Sequence, residues 1–109
     1  MLSYLFIESR DPFESDDAQF VLDTATELKL SDNEVTVFLV QNGVLATRRK
    51  AVGSHLPQLA KAGITLLADD FSLRERGIIA TEMISGVQES NIEALVELLV
   101  RDNTKAIWH

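Results

Sequence analysis

The chain has 109 residues, of which 46% are hydrophobic and 25% charged, and it carries a formal net charge of −7 at pH 7. This composition is typical of a folded globular protein, and the length accommodates one domain, residues 1–109, with a single core. The acidic balance argues against direct, broad nucleic-acid binding, which relies on many Lys and Arg side chains to neutralise phosphates.

The sequence contains no cysteine. This excludes disulfides and cysteine-based zinc sites. It also excludes thiol or persulfide chemistry, because neither a carboxylate nor a hydroxyl can replace a thiolate in sulfur transfer. No apolar run approaches the roughly 20 residues of a membrane span, and the N-terminus lacks the features of a signal peptide. We therefore expect a cytoplasmic protein that does not bind membranes.

Short apolar runs bounded by turn residues predict β-strands that are buried on both faces of a sheet. The predicted strands are residues 3–8, 35–40, 64–68 and 104–108, with a shorter one around 84–87.

Helical patterns separate most of these strands. Apolar spacing predicts a first helix over residues 18–28, with Ser15 and Asp16 as cap candidates, and a second helix is opened by Ser54 and ended by Gly63. Ser90 and Glu93 then form a capping-box pattern ahead of a last amphipathic helix. Its apolar stripe consists of Ile92, Leu95, Val96, Leu99 and Val100.

Strands that alternate with helices through right-handed crossovers predict an α/β fold. We expect a flavodoxin-like three-layer α/β/α sandwich with a mainly parallel five-stranded sheet. Ligands of such sheets bind beyond the carboxyl ends of the strands, where three loops of this chain form a candidate rim. The candidate binding residues of the rim are Glu8, Asp11, Gln41, Asn42, Gly43, Asp69, Asp70 and Ser72.

Several interpretations of the rim remain open. Asp69 and Asp70 can bind a hard cation or act as acid and base, whereas the plainer interpretation is that Asp70 caps the following helix through Arg76. A phosphoacceptor aspartate is disfavoured, because receiver domains carry an acidic pair after the first strand and this chain has Glu-Ser-Arg at positions 8–10. Residues 41–43 can form an anion site or, more simply, a turn.

A basic cluster and an aromatic residue are candidate interface positions. The cluster is Arg48, Arg49 and Lys50, which can contact an acidic partner or simply form a solvated helix end. Trp108 suits either the margin of the core or a subunit contact. His55 and His109 are predicted to be surface histidines.

Motifs of the common enzyme classes are absent from the sequence. We find no nucleophile elbow, Walker loop, dinucleotide fingerprint or metal-ligand spacing. We therefore expect a protein that is not an enzyme and that holds no metal or cofactor.

Several segments in chain order resemble the DsrE/DsrF/DsrH family over nearly the whole sequence. They are residues 5–7 with 11–13, 37–44, 63–78 and 105–108. The tryptophan at position 108 and the Pro-Phe pair at 12–13 look most like the DsrH or TusB branch. Members of this family are small flavodoxin-like proteins, some of which pass persulfide sulfur toward tRNA 2-thiouridine or take part in sulfur oxidation.

The resemblance also implies a partner. The reactive cysteine of the carrier branch falls at Asp69 or within one position of it, so the carrier role does not transfer to this chain. The resemblance implies a homo-oligomer, trimeric or hexameric, or a hetero-oligomer with cysteine-bearing subunits. We expect a non-catalytic subunit of a sulfur-relay complex; the alternative is a stand-alone homo-oligomeric domain that binds a small ligand or cation through Glu8, Asn42 and Asp69.

Overall fold

A computed structural model describes residues 2–11, 18–49, 51 and 55–109. In these segments five strands alternate with four helices. They are β1 (Ser3–Glu8), α1 (Ala18–Leu30), β2 (Glu34–Leu39), α2 (Leu56–Lys61), β3 (Thr65–Asp69), α3 (Asp70–Glu75), β4 (Val87–Ser90), α4 (Ile92–Leu99) and β5 (Thr104–Trp108). Two 3₁₀ segments, Gln41–Thr47 and Ala80–Glu82, complete the order. Among the helices of the described segments, none has the length and apolar character needed to span a bilayer.

The predicted elements agree with the structure apart from small shifts. Four strands lie within one residue of their predicted bounds, whereas β4 begins three residues later than expected, at Val87. Helix α2 ends just before Gly63, whose φ of +88° is the left-handed conformation that terminates helices. The predicted cap residues Ser15, Asp16 and Ser54 lie outside the described residues.

The five strands form one parallel sheet in the order β4-β3-β2-β1-β5. The predicted parallel three-layer α/β architecture is therefore confirmed, although this order differs from the 2-1-3-4-5 order of flavodoxin. The chain adds β2, β3 and β4 on one side of β1 and then returns to place β5 on the other side. The topological switch point consequently lies between β1 and β5, and the carboxyl ends of all five strands meet at one edge.

Alternating strand side chains divide the core between the two faces of the sheet. On one face the strands pack against α1, α2 and the first 3₁₀ segment, in a large cluster that includes Phe6, Val37 and Leu39. On the other face a smaller cluster packs against α4 through Leu95. The sheet residues of that smaller cluster are Leu5, Ile7, Phe38 and Val40, with Leu67 partly buried beside them.

Strand β5 differs from its prediction. It was expected to be buried on both faces, but no residue of β5 is fully buried, and Trp108 is 65% exposed. The physical reason is topological: β5 lies at the edge of the sheet, where β1 is its only strand neighbour in the described part of the chain.

Helix α4 also differs in two respects from the sequence interpretation. Its N-cap is Asn91, whose side-chain oxygen accepts a hydrogen bond from the Ala94 amide at 2.9 Å, so the prediction of Ser90 as the cap is wrong. The amphipathic stripe forms the helix as expected, yet Leu95 is its only fully buried residue. The rest of the stripe faces outward.

The position of this cap can be tested with two neighbouring substitutions. Asn91→Ala removes the side chain that satisfies an amide of the first turn, and we expect it to lower the free energy of unfolding by about 1 kcal/mol. Ser90→Ala, the matched control, should change it by less than about 0.5 kcal/mol. Urea denaturation measures both values. A larger loss for Ser90→Ala than for Asn91→Ala would contradict the observed cap.

Candidate functional site

The three loops predicted to form the rim do lie together. Because β1, β2 and β3 are parallel and adjacent, the residues that follow Glu8, Leu39 and Asp69 emerge at the same edge of the sheet. Direct contacts between the loops, described below, join all three into one continuous surface.

The centre of the rim is a buried junction of Asp69, Ser72 and Gln41. A side-chain oxygen of Asp69 accepts hydrogen bonds from the Ser72 amide at 2.9 Å and from the Ser72 hydroxyl at 2.7 Å. The same hydroxyl accepts a hydrogen bond from the Gln41 amide at 2.9 Å. Asp69 is 9% exposed and Ser72 5% exposed, so this carboxylate is largely withdrawn from solvent.

The helix cap at the start of α3 corrects one prediction. Asp69 caps this helix, not Asp70, since the Ser72 amide bonds to the Asp69 side chain. Asp70 instead lies 3.5 Å from Arg74 one turn later. Arg76 does not take part in the cap; its guanidinium donates to the Asn42 side-chain oxygen at 3.0 and 3.2 Å, and so joins α3 to the loop after β2.

The loops after β1 and β2 meet at Gly43. Residues 41–43, which were predicted to form an anion site or a turn, are the start of the 3₁₀ segment Gln41–Thr47. A Cβ atom added to Gly43 would come within 2.2 Å of the main-chain oxygen of Glu8. Only glycine therefore permits the backbones of these two loops to approach so closely.

Glu8 pairs with His109 at the topological switch point. Nδ1 of His109 lies 2.8 and 3.0 Å from the two carboxylate oxygens of Glu8. The Arg10 amide donates to the same carboxylate at 2.9 Å. We assign the ring hydrogen to Nδ1, because an ionised carboxylate only accepts hydrogen bonds.

This pair was missed by sequence reasoning. His109 was predicted to be a surface histidine, but its side chain is only 15% exposed, and the prediction is wrong. The two residues are 101 positions apart, and the pairing of β5 with β1 alone brings them together. The amide of Ser9 adds a hydrogen bond to the main-chain oxygen of His109 at 2.8 Å.

Other candidate residues lie in separate surroundings. Asp11 is buried at the end of a described segment, and His55 is half-buried at the start of α2. Arg48 and Arg49 are exposed, and their Nε atoms donate to the main-chain oxygens of Leu45 and Met83. They border a groove with Thr81 and Glu82 that is distinct from the surface near Trp108.

A small cavity lies beside the rim, between β2, α1 and α2. It has a volume of about 50 Å³ and a mostly apolar lining, with Glu8, Arg10 and His55 among its walls. Typical small-molecule pockets hold about 300–1,000 Å³, so this cavity is too small for a cofactor such as a nucleotide. Within the described segments, no three His, Asp or Glu side chains are grouped so that they could hold a metal ion.

Comparison with known proteins now identifies the family. Residues 2–104 match the DsrE/DsrF-like family. The chain belongs to this family. No curated protein sequence matches it.

Solved structures of similar proteins support the fold of this DsrE/DsrF-like chain. A protein of unknown function from Methanobacterium thermoautotrophicum, MTH1491, aligns with a TM-score of 0.83 at 19% identity, covering 100% of both chains. The ychN protein from E. coli aligns with a TM-score of 0.84 at 20% identity, covering 98% of this chain and 100% of its own. At these sequence identities, the similarity shows a shared fold.

The buried junction can be tested by removing one hydroxyl. Ser72→Ala leaves the Gln41 amide without its acceptor and removes one of the two hydrogen bonds that the buried Asp69 carboxylate accepts, and we expect it to lower the free energy of unfolding by about 1–3 kcal/mol. Ser31→Ala is the matched control, because the Ser31 hydroxyl bonds at 3.2 Å to a main-chain oxygen at an exposed position. Its effect should stay below about 0.5 kcal/mol. Equal losses in urea denaturation would show that the junction adds nothing.

Proposed function

We propose that this protein is a cytoplasmic, non-catalytic subunit of a sulfur-relay complex of the DsrE/DsrF-like family. It contributes assembly and a docking surface, and the thiol that carries sulfur belongs to a partner subunit. The resemblance to the DsrH or TusB branch makes a complex of the tRNA 2-thiouridine type or the sulfur-oxidation type the expected setting.

The proposal depends on the residue type and the hydrogen bonds of Asp69. Asp69, or a neighbour within one position, falls where the resemblance places the carrier cysteine, and the chain has no cysteine elsewhere. Sulfane sulfur moves when a thiolate attacks the outer sulfur of a persulfide and the donor thiolate departs. A carboxylate that caps a helix and accepts two hydrogen bonds cannot perform that attack. The chain can therefore assist sulfur transfer only through contacts with a subunit that has a thiol.

The hydroxyl at the rim does not supply a substitute nucleophile. The Ser72 hydroxyl donates to Asp69 and accepts from the Gln41 amide, and it is buried, so a substrate has no access to it. The imidazole of His109 is engaged with Glu8; the Ser9 hydroxyl bonds to the main-chain oxygen of His109 and not to its ring. The geometry supports a role in assembly better than one in catalysis.

The alternative is a stand-alone domain that binds a small ligand or cation at the rim, and the contacts of its three proposed residues make it second choice. The Glu8 carboxylate contacts His109, the Asn42 oxygen accepts from Arg76, and the Asp69 carboxylate accepts from Ser72. A ligand would have to displace these internal donors before it could bind.

Sulfur loading tests the proposal directly. The purified chain is incubated with a cysteine desulfurase and cysteine, and covalent sulfur is measured by intact mass spectrometry. We expect no adduct on the natural chain. Asp70→Cys places one thiol on the rim without removing the Asp69 cap, at a side chain that is 33% exposed, and should gain a reducible sulfur adduct. An adduct on the natural chain would refute the non-carrier role.

A partner is the second requirement of the same proposal. Tagged protein purified from its native cells should bring down a cysteine-bearing member of the DsrE/DsrF-like family. Replacing the exposed pair Arg48 and Arg49 with Glu tests whether this basic surface contacts that partner, and we expect weaker capture, while circular dichroism checks that the variant remains folded. Purification without any cysteine-bearing relative or sulfurtransferase would contradict the proposal.

A further inference from the structure

A basic groove lies between the second 3₁₀ segment and the residues that follow the first. It is lined by Arg48, Arg49, Thr81 and Glu82, and we call it the arginine groove. Its volume is about 470 Å³, which falls within the range of about 300–1,000 Å³ that small-molecule sites occupy. The groove therefore has room for a ligand of the size of a sugar phosphate or a mononucleotide.

The main chain on both sides of the groove is held in place. The Arg49 amide donates a hydrogen bond to the main-chain oxygen of Glu82 at 2.9 Å, and the Ile84 amide donates to that of Thr47 at 2.7 Å. Thr47 and Met83 are buried, so their side chains anchor these two segments in the interior. The two arginines consequently project from a backbone that is fixed before any ligand binds.

Both guanidiniums are oriented by the main chain. Nε of Arg48 donates to the Leu45 oxygen at 3.1 Å, and Nε of Arg49 donates to the Met83 oxygen at 3.2 Å. A guanidinium has five N–H donors, and each of these bonds uses one of them. Neither guanidinium forms an ion pair with a carboxylate of the described residues. The groove therefore presents two positive charges whose terminal nitrogens face solvent chemistry and not a carboxylate of the described chain.

We propose that the arginine groove binds a small phosphomonoester, with the two guanidiniums holding the phosphate group and the Thr81 hydroxyl donating a further hydrogen bond. This inference goes beyond the function proposed above. Phosphate binding needs neither a thiol nor a partner subunit, so either proposal can fail while the other stands.

The charge and shape of a phosphomonoester match this pair of side chains. Its phosphate carries a charge of about −1.5 to −2 at pH 7 and three strong acceptor oxygens. The planar guanidinium fork binds two such oxygens at once, which makes arginine the residue best suited to phosphate groups. Two arginines therefore match the charge of one monoester, whereas a phosphodiester carries only one negative charge.

The acidity of the rest of the chain favours a compact ligand. The net charge is −7, so a long polyanion that extends beyond the groove meets a repulsive surface. Glu82 adds a carboxylate to the groove itself, and its Oε1 accepts from the Ile79 amide at 3.4 Å. A small phosphomonoester contacts the arginines without crossing the acidic surface, and a strand of RNA cannot.

An NMR titration of the isotope-labelled chain tests the proposal, with AMP as the probe at constant ionic strength and pH 7.5. We expect saturable shifts of the amides of Arg48, Arg49 and Thr81. Adenosine, which lacks the phosphate, is the matched control ligand and should give no saturable shift. A short single-stranded RNA without a terminal phosphate should bind more weakly than AMP.

Three substitutions show whether the arginines hold the phosphate. Arg48→Gln and Arg49→Gln should each weaken AMP binding at least about tenfold, because each removes a charge-assisted hydrogen bond. Arg101→Gln, the same change of charge at an exposed position after α4, is the matched control and should leave the affinity unchanged. Circular dichroism checks that the variants remain folded.

A fourth substitution changes the affinity in the opposite direction. Glu82→Gln removes the negative charge of the groove and keeps an oxygen that can accept from the Ile79 amide, so AMP should bind several-fold more tightly. The inference would be overturned by the absence of saturable shifts, by equal binding of adenosine or tighter binding of the RNA, or by an equal loss of affinity in Arg101→Gln.

Discussion

The ends of the central strands depend on one buried hydrogen-bond junction. A single hydroxyl, that of Ser72, donates to Asp69 and accepts from the Gln41 amide, so it joins the start of α3 to the ends of β2 and β3. A buried polar group without a partner costs about 1–3 kcal/mol, and each of these groups satisfies another. Gln41 has a φ of +49°, which is uncommon for a residue with a side chain, and the junction holds it there.

The same junction limits what the chain can do chemically. The Asp69 carboxylate, at or within one position of the place where the resemblance puts the carrier thiol, caps a helix, and the Ser72 hydroxyl bonds to that carboxylate and to the Gln41 amide. Around it, the Arg76 guanidinium donates to the Asn42 side-chain oxygen, and the His109 ring contacts the Glu8 carboxylate. The polar groups of the rim thus stabilise the carboxyl edge of the sheet.

The structure also shows which features could be predicted from patterns along the chain. Apolar runs located four strands to within one residue, because strands covered on both faces of a parallel sheet are apolar, whereas three of the four residues of β4 are polar and its prediction was shifted. Patterns could not identify the cap of α4, since Ser90 and Asn91 are both good caps and the choice depends on where β4 ends. Nor could they find the contact of Glu8 with His109, which arises from strand order and not from any local motif.

The sequence by itself determined the α/β class, the lengths of most elements and the absence of a thiol, because hydrophobic periodicity and residue identity are local properties. Only the tertiary structure decided the order β4-β3-β2-β1-β5, and with it the exposure of β5 and of the outer face of α4. An apolar stripe indicates that one face of a helix has to be buried, but it does not identify the surface that buries it. Whether the same chain buries that face depends on how much of the sheet surface the other helices leave exposed.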